Sequence, residues 1–110
     1  MTAWPPPRCA GWIGAIAVAA GAFGAHALEG HPRLDTWKTA AVYHLVHAVA
    51  LALPNTPAIA RRLWVVGITL FSGSLYALVL LDAPRLGVIT PVGGLALIAG
   101  WLTMAIRPPS

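Results

Sequence analysis

Charges and prolines divide the chain between Cys9 and Ile106 into four apolar runs, roughly Cys9 to Leu28, Trp37 to Leu53, Leu63 to Leu81 and Gly87 to Ile106. Crossing a hydrocarbon layer of roughly 30 Å as a helix takes about 20 residues. The first, third and fourth runs meet that length, and the second falls slightly short. The wider composition agrees: 58% of residues are hydrophobic, 9% are charged, and the mean hydropathy is +0.76. These values lie outside the range of soluble domains. The expected fold is all-α, an integral membrane bundle of four transmembrane helices at about 9–28, 37–53, 60–81 and 87–106. The helices run up and down with short loops, as one domain over residues 1–110. No length remains for a soluble catalytic module.

Charge narrows the classes further. A net charge of +4 could suit nucleic acid, but the longest basic run is Arg61-Arg62, so no nucleic-acid partner is expected. The cations read instead as anchors at span ends. Arg8, Arg61, Arg62 and Arg107 fall on the side of both termini, against Arg33, Lys38 and Arg85 on the other, so counting positive charges favours cytoplasmic termini by four to three. Cys9 is the only cysteine and can form no internal disulfide. A cleavable leader is the rival reading of the first run, with "AHA" at 25–27 as its cleavage site. The run is long for a leader core, and His26 and Leu28 suit a processing site poorly, so it reads as a retained span.

Boundary residues support the four runs. His31-Pro32 closes the first helix, and Asp35 or Thr36 is placed to cap the second. Pro54-Asn55 closes the second, and Thr56-Pro57 offers a cap followed by proline at the first helical position. Thr90-Pro91 repeats that pattern inside the fourth run, which predicts either a kink at Pro91 or an extended entry over 87–90.

Two stripes of small residues recur at i, i+3, i+7 and i+10. The first helix carries Gly14, Ala17, Gly21 and Gly24, and the fourth carries Gly93, Ala96, Gly100 and Thr103. Lipid supplies little hydrophobic force between helices, so close backbone contact at small residues drives association. These stripes are therefore expected helix contact faces, within one chain or between copies.

The second helix places Tyr43, His44 and His47 inside an apolar run, and the third carries Thr69, Ser72 and Tyr76 at helical spacing. Up-and-down threading puts His26, Tyr43, His44, Ser72, Tyr76 and Thr90 in one half of the bundle, with His47 near mid-depth. Polar side chains in a span face the interior, because an unpaired group in hydrocarbon costs several kcal/mol. The cluster can act as hydrogen-bonded glue between helices, or as a site for a small molecule, lipid or proton. No metal or cofactor is expected, since no Cys, Asp or Glu lies within a span to complete a ligand set. Nor does any acid stand ready to orient a histidine as general base, so no enzyme is expected. Ser72 and Ser74 read as bonding backbone carbonyls one turn earlier.

The motifs "GAFGAHAL" at 21–28, "WKTAAVYHLVHAVAL" at 37–51, "LFSGSLYAL" at 70–78 and "ITPVGGLALIAGW" at 89–101 resemble the family known as domain of unknown function 423. That family is similar to the small transmembrane protein 256 of animals. The resemblance covers nearly the whole chain and implies a small multi-span protein of the bacterial inner membrane with no established activity. Its matching positions include Gly21, Gly24, His26, Trp37, Tyr43, His47, Ser72, Tyr76, Thr90, Pro91 and Gly93. His44 departs from the family, whose members commonly have glutamine there, so a two-histidine ligand motif is not implied. The functional expectation is a non-enzymatic accessory or assembly protein that binds membrane lipids, itself or a membrane-protein partner. The alternative is a small transporter using an intramembrane histidine and tyrosine site, or less readily a haem- or quinone-associated subunit.

Overall fold

A computed structural model of the chain describes residues 4–107. Four helices, α1 (Arg8–Ala27), α2 (Leu34–Leu51), α3 (Ala58–Leu80) and α4 (Thr90–Ile106), alternate in direction, and a 3-10 turn at Pro84–Val88 precedes α4. The body is elongated, 45 × 26 × 20 Å. Arg61 and Arg62 at the start of α3 donate to the Pro5 and Trp4 carbonyls at 2.7 and 3.0 Å, which ties the N-terminal segment to the first turns of α3. At the opposite end Arg33 pairs with Asp82 across 3.2 Å, joining the other two loops.

Of the four spans expected, three helical stretches are long and apolar enough to cross a membrane: Arg8–Ala27, Ala58–Leu80 and Pro84–Ile106. The shorter and more polar α2 is the helix left out. Its start differs from the expected one. Neither Asp35 nor Thr36 caps it; the helix begins at Leu34 after a turn in which the Arg33 N–H donates to His31 Nδ1 at 3.0 Å. Asp35 instead lies in the first turn, where a carboxylate complements the helix dipole.

The cap expected at Thr56 is also corrected. Its hydroxyl turns back to the Leu53 carbonyl at 3.3 Å, and Pro57 is itself the residue before the helix. In the fourth run, the extended entry over 87–90 is replaced by the 3-10 turn, and α4 starts at Thr90. Pro91 falls in the first turn, where its missing N–H leaves no intrahelical bond unmade, so no kink follows.

Packing runs in chain order, α1 on α2, α2 on α3 and α3 on α4, and no Cα of α1 lies within 8 Å of a Cα of α3. The tightest seam is α3 against α4. A Cβ on Gly93 would strike the Phe71 backbone nitrogen and lie 2.8 Å from Leu70 C and Phe71 Cα, while one on Gly100 would strike the Trp64 indole. The seam is reciprocal, because a Cβ on Gly67 of α3 would lie 2.5 Å from Leu97 Cδ2 and 3.0 Å from the Leu97 nitrogen. Along α1, Ala17 is buried, Gly14 lies against Ala48, and Gly24 accommodates the Trp37 ring. Gly21 sits elsewhere: nothing comes within 4 Å of the position its Cβ would take.

Two apolar clusters fill the ends. Ala50, Leu51, Ala60, Trp64, Ile68 and Leu97 pack near the termini, and Leu28, Trp37, Leu78 and Val79 pack near the Arg33–Asp82 pair. The contrast between Gly93 and Gly21 is testable. Gly93→Leu is expected to lower stability by roughly 1–3 kcal/mol or prevent folding, because backbone cannot yield as a side chain can. Gly21→Leu is expected to be neutral within roughly 0.5 kcal/mol, as read by denaturant titration in detergent.

Candidate functional site

The polar side chains of α2 and α3 meet between the two apolar clusters. His44 and His47 are buried on the inner face of α2, while Val42, Leu45, Val46 and Val49 are exposed on its outer face. His44 Nδ1 lies 2.8 Å from the Tyr76 hydroxyl, and each group can donate or accept, the direction following the histidine tautomer. Ser72, also buried, donates to the Ala40 carbonyl of α2 at 2.8 Å. That bond crosses between helices, whereas the expected one lay within α3. Ser74 does bond one turn back, to the Phe71 carbonyl at 2.9 Å, and it meets the Thr90 hydroxyl at 2.6 Å.

His47 is held differently. Its Nδ1 donates to the Tyr43 carbonyl at 2.7 Å, which leaves Nε2 as the acceptor for the Trp101 indole N–H at 2.9 Å. The tautomer is thereby set and both ring nitrogens are engaged. Trp64 and Trp101 flank the imidazole edge-on at 6.4 and 5.8 Å. Trp101 was not anticipated as a partner. Depth would have pointed to it, since His47 lies four residues from the end of α2 and Trp101 five from the end of α4.

The residues expected to share one half of the bundle do not all converge. His44, Ser72 and Tyr76 do. Thr90 joins Ser74 at the α3–α4 seam, and Tyr43, which is 45% exposed, packs its ring against Phe71 at 4.8 Å. His26 is exposed on the outside of α1. Among the described residues, no three of His, Cys, Asp or Glu gather in a way that could hold a metal ion.

Where α1 and α3 stand apart, an open groove of about 260 Å³ forms. Ile13 and Ile16 make one wall, Val65, Ile68, Thr69 and Gly73 the other, and His44, Ser72 and Tyr76 line its polar part. From Val65 to Tyr76 the groove follows about 16 Å of helix, the depth of one leaflet. With its hydrogen donated to the Ala40 carbonyl, the Ser72 oxygen is left as an acceptor for a further donor.

Fold and site together define a small all-helical membrane protein with a polar interior and a lateral groove. Residues 20–94 match the family model described as protein of unknown function (DUF423), and the chain belongs to that family. It is 39% identical to the UPF0382 membrane protein YwdK of Bacillus subtilis, over 83% of this chain and 85% of the relative. It is 42% identical to the UPF0382 membrane protein SAB0533 of Staphylococcus aureus, over 83% and 84%. A UPF0382 membrane protein of Schizosaccharomyces pombe, C1782.12c, is 34% identical over 96% of this chain and its own full length. No solved structure matches.

The Trp101–His47 bond gives a direct test of interior satisfaction. A double-mutant cycle between Trp101→Phe and His47→Leu is expected to return a coupling of about 0.6–2 kcal/mol. Additive effects in detergent unfolding would show that the two rings only pack.

Proposed function

We propose that the chain is a four-span membrane protein without catalytic activity that holds one lipid-class molecule in the groove between α1 and α3. In this reading it serves a membrane partner as an accessory or assembly subunit, with its termini on the cytoplasmic face. The observation that carries the reading is the groove, which is apolar along most of its walls and polar at the His44–Tyr76–Ser72 group and at Thr69, whose hydroxyl is donated to the Val65 carbonyl. Its volume of about 260 Å³ lies just under the usual range for ligand pockets, about 300–1,000 Å³. That suits one chain or ring carrying a hydroxyl or amine donor better than a whole phospholipid.

The outer face of α2 supports the fourth span. At 18 residues the helix is about 27 Å long, near the hydrocarbon thickness. Its two histidines are turned inward, and beyond the exposed Asp35, Lys38 and Thr39 of its first turns the outer face is Val42, Tyr43, Leu45, Val46 and Val49.

Hydrogen bonding argues against the other chemistries. The Ser72 hydroxyl donates to a carbonyl, and no acid stands behind His44 to make it a general base. A proton-carrying His47 would have to release Trp101 before Nε2 could accept a proton.

Gly73 supplies the test, because it lines the groove and a Cβ there would meet nothing within 4 Å. Gly73→Leu should fill the groove while leaving the helix intact or strengthened by roughly 0.5–1 kcal/mol. Native mass spectrometry from mild detergent is expected to show a bound mass on the wild type and none on the variant. A mass retained by Gly73→Leu, or absent from both proteins, would remove the groove as a binding site.

A further inference from the structure

The end of the bundle that carries the termini has an unbalanced charge. Arg8 opens α1, Arg61 and Arg62 lie in the first turns of α3, and Arg107 follows α4, whereas Glu29, Asp35 and Asp82 all belong to the opposite end. Arg33 has Asp82 as its counter-ion there. Arg61 has none. Its Nη2 donates to the neutral Pro5 carbonyl, and its Nε is shut off from solvent with no hydrogen-bond partner among the described residues. Among the described residues Arg62 likewise has only the Trp4 carbonyl. A guanidinium held this way keeps its full charge and retains donors for an anion.

Arg61 also lines an open hollow of about 440 Å³ between the N-terminal segment and the α2–α3 loop. Pro7, Leu51, Leu53 and Pro54 give it apolar walls, and Asn55 and Thr56 add polar groups beside the arginine. The α3 helix starts at this hollow with no acid in its first turn and no side-chain cap, so its dipole adds to the positive potential. The hollow lies at the end of the helices, which the four-span reading proposed above puts at headgroup level. We infer that it binds the phosphate of an anionic phospholipid. Arg61 takes the phosphate oxygens through the Nη donors not given to Pro5, Asn55 adds its amide, and the Leu51, Leu53 and Pro54 wall receives the first part of an acyl chain. Arg62, Arg8 and Arg107 raise the local potential without touching the phosphate. The chemistry recognised is that of a phosphate ester, and the apolar wall assigns it to a lipid over a free anion.

The test uses the full chain in mild detergent, titrated separately with phosphatidylglycerol and with phosphatidylcholine and read by native mass spectrometry. Phosphatidylglycerol is expected to be retained at least about tenfold more strongly than phosphatidylcholine, the scale of a charge-assisted hydrogen bond. Arg61→Gln is expected to abolish that preference, and Arg85→Gln, at the other end, to leave it intact. Arg61→Lys keeps the charge and a donor for Pro5 but loses the planar fork. It guards against misfolding of the glutamine variant and is expected to lose most of the preference. Equal retention of the two lipids, or an undiminished preference in the Arg61 variants, would overturn the inference. Inorganic phosphate at matched concentration is expected to leave phosphatidylglycerol bound; displacement would assign the site to a soluble anion and overturn the lipid source.

Discussion

Inside a bilayer a polar side chain has no water to fall back on, and the arrangement of this bundle follows from where its few polar groups find partners. Trp37 donates from α2 to the Ala20 carbonyl of α1 at 2.7 Å. Ser72 and Tyr76 join α3 to α2, Ser74 and Thr90 join α3 to α4, and Trp101 joins α4 to α2. Each bond satisfies a group that would otherwise be stranded, and in doing so fixes a rotation of one helix against another. Small residues then decide how close the helices can come. The α3–α4 seam closes to backbone contact at Gly93, with Gly67 and Gly100 admitting Leu97 and Trp64. The Trp64 indole nitrogen is the exception within the bundle, buried without an acceptor among the described residues.

The groove is a consequence of the same division of labour. Trp37 and Ala48 fasten α1 to α2 alone, and only Ala17 and Gly24 of α1 are buried. Nothing equivalent draws α1 to α3, where bulky Ile13 and Ile16 face Val65 and Ile68 across the gap. A wall of branched side chains holds backbones apart where a wall of glycines brings them together. The glycine on the groove side, Gly73, has no opposing side chain to admit, so it widens the space. One helix pair is thus sealed by glycine and another is kept open.

Hydropathy and proline placement made four helices legible, because those signals are local. The gathering of His44, Ser72 and Tyr76 was legible too, since alternating helices fix which residues share a depth. Faces were read less well. His26 has the depth of the cluster, but it follows buried Gly24 by two residues, about 200° around the helix, so it must look outward. Gly21 obeys the small-residue spacing, yet Trp37 reaches α1 at Ala20 and Gly24 and leaves Gly21 bare. Spacing identifies a face but not the neighbour that will occupy it. The same limit hid Trp101 as the partner of His47, and it hid Gly67, which belongs to no stripe and matters because Leu97 lies opposite. Capping by Asp35, Thr36 and Thr56 failed for a different reason: tight turns at His31 and Leu53 satisfied the loop groups first.

The two ends of the bundle solve charge differently, and this bears on how the protein sits in a membrane. At the Arg33–Asp82 end the chain supplies its own counter-ion, and the pair, with Asp82 85% exposed, contributes little to stability. At the terminal end the described residues supply none. Four arginines without an acidic partner among those residues repel one another across a small surface, a cost that anionic headgroups relieve and that neutral ones do not. A bundle this small has little buried area with which to hold a fixed depth. In the orientation proposed above, the asymmetry supplies one instead, by favouring contact of the arginine-rich end with anionic headgroups.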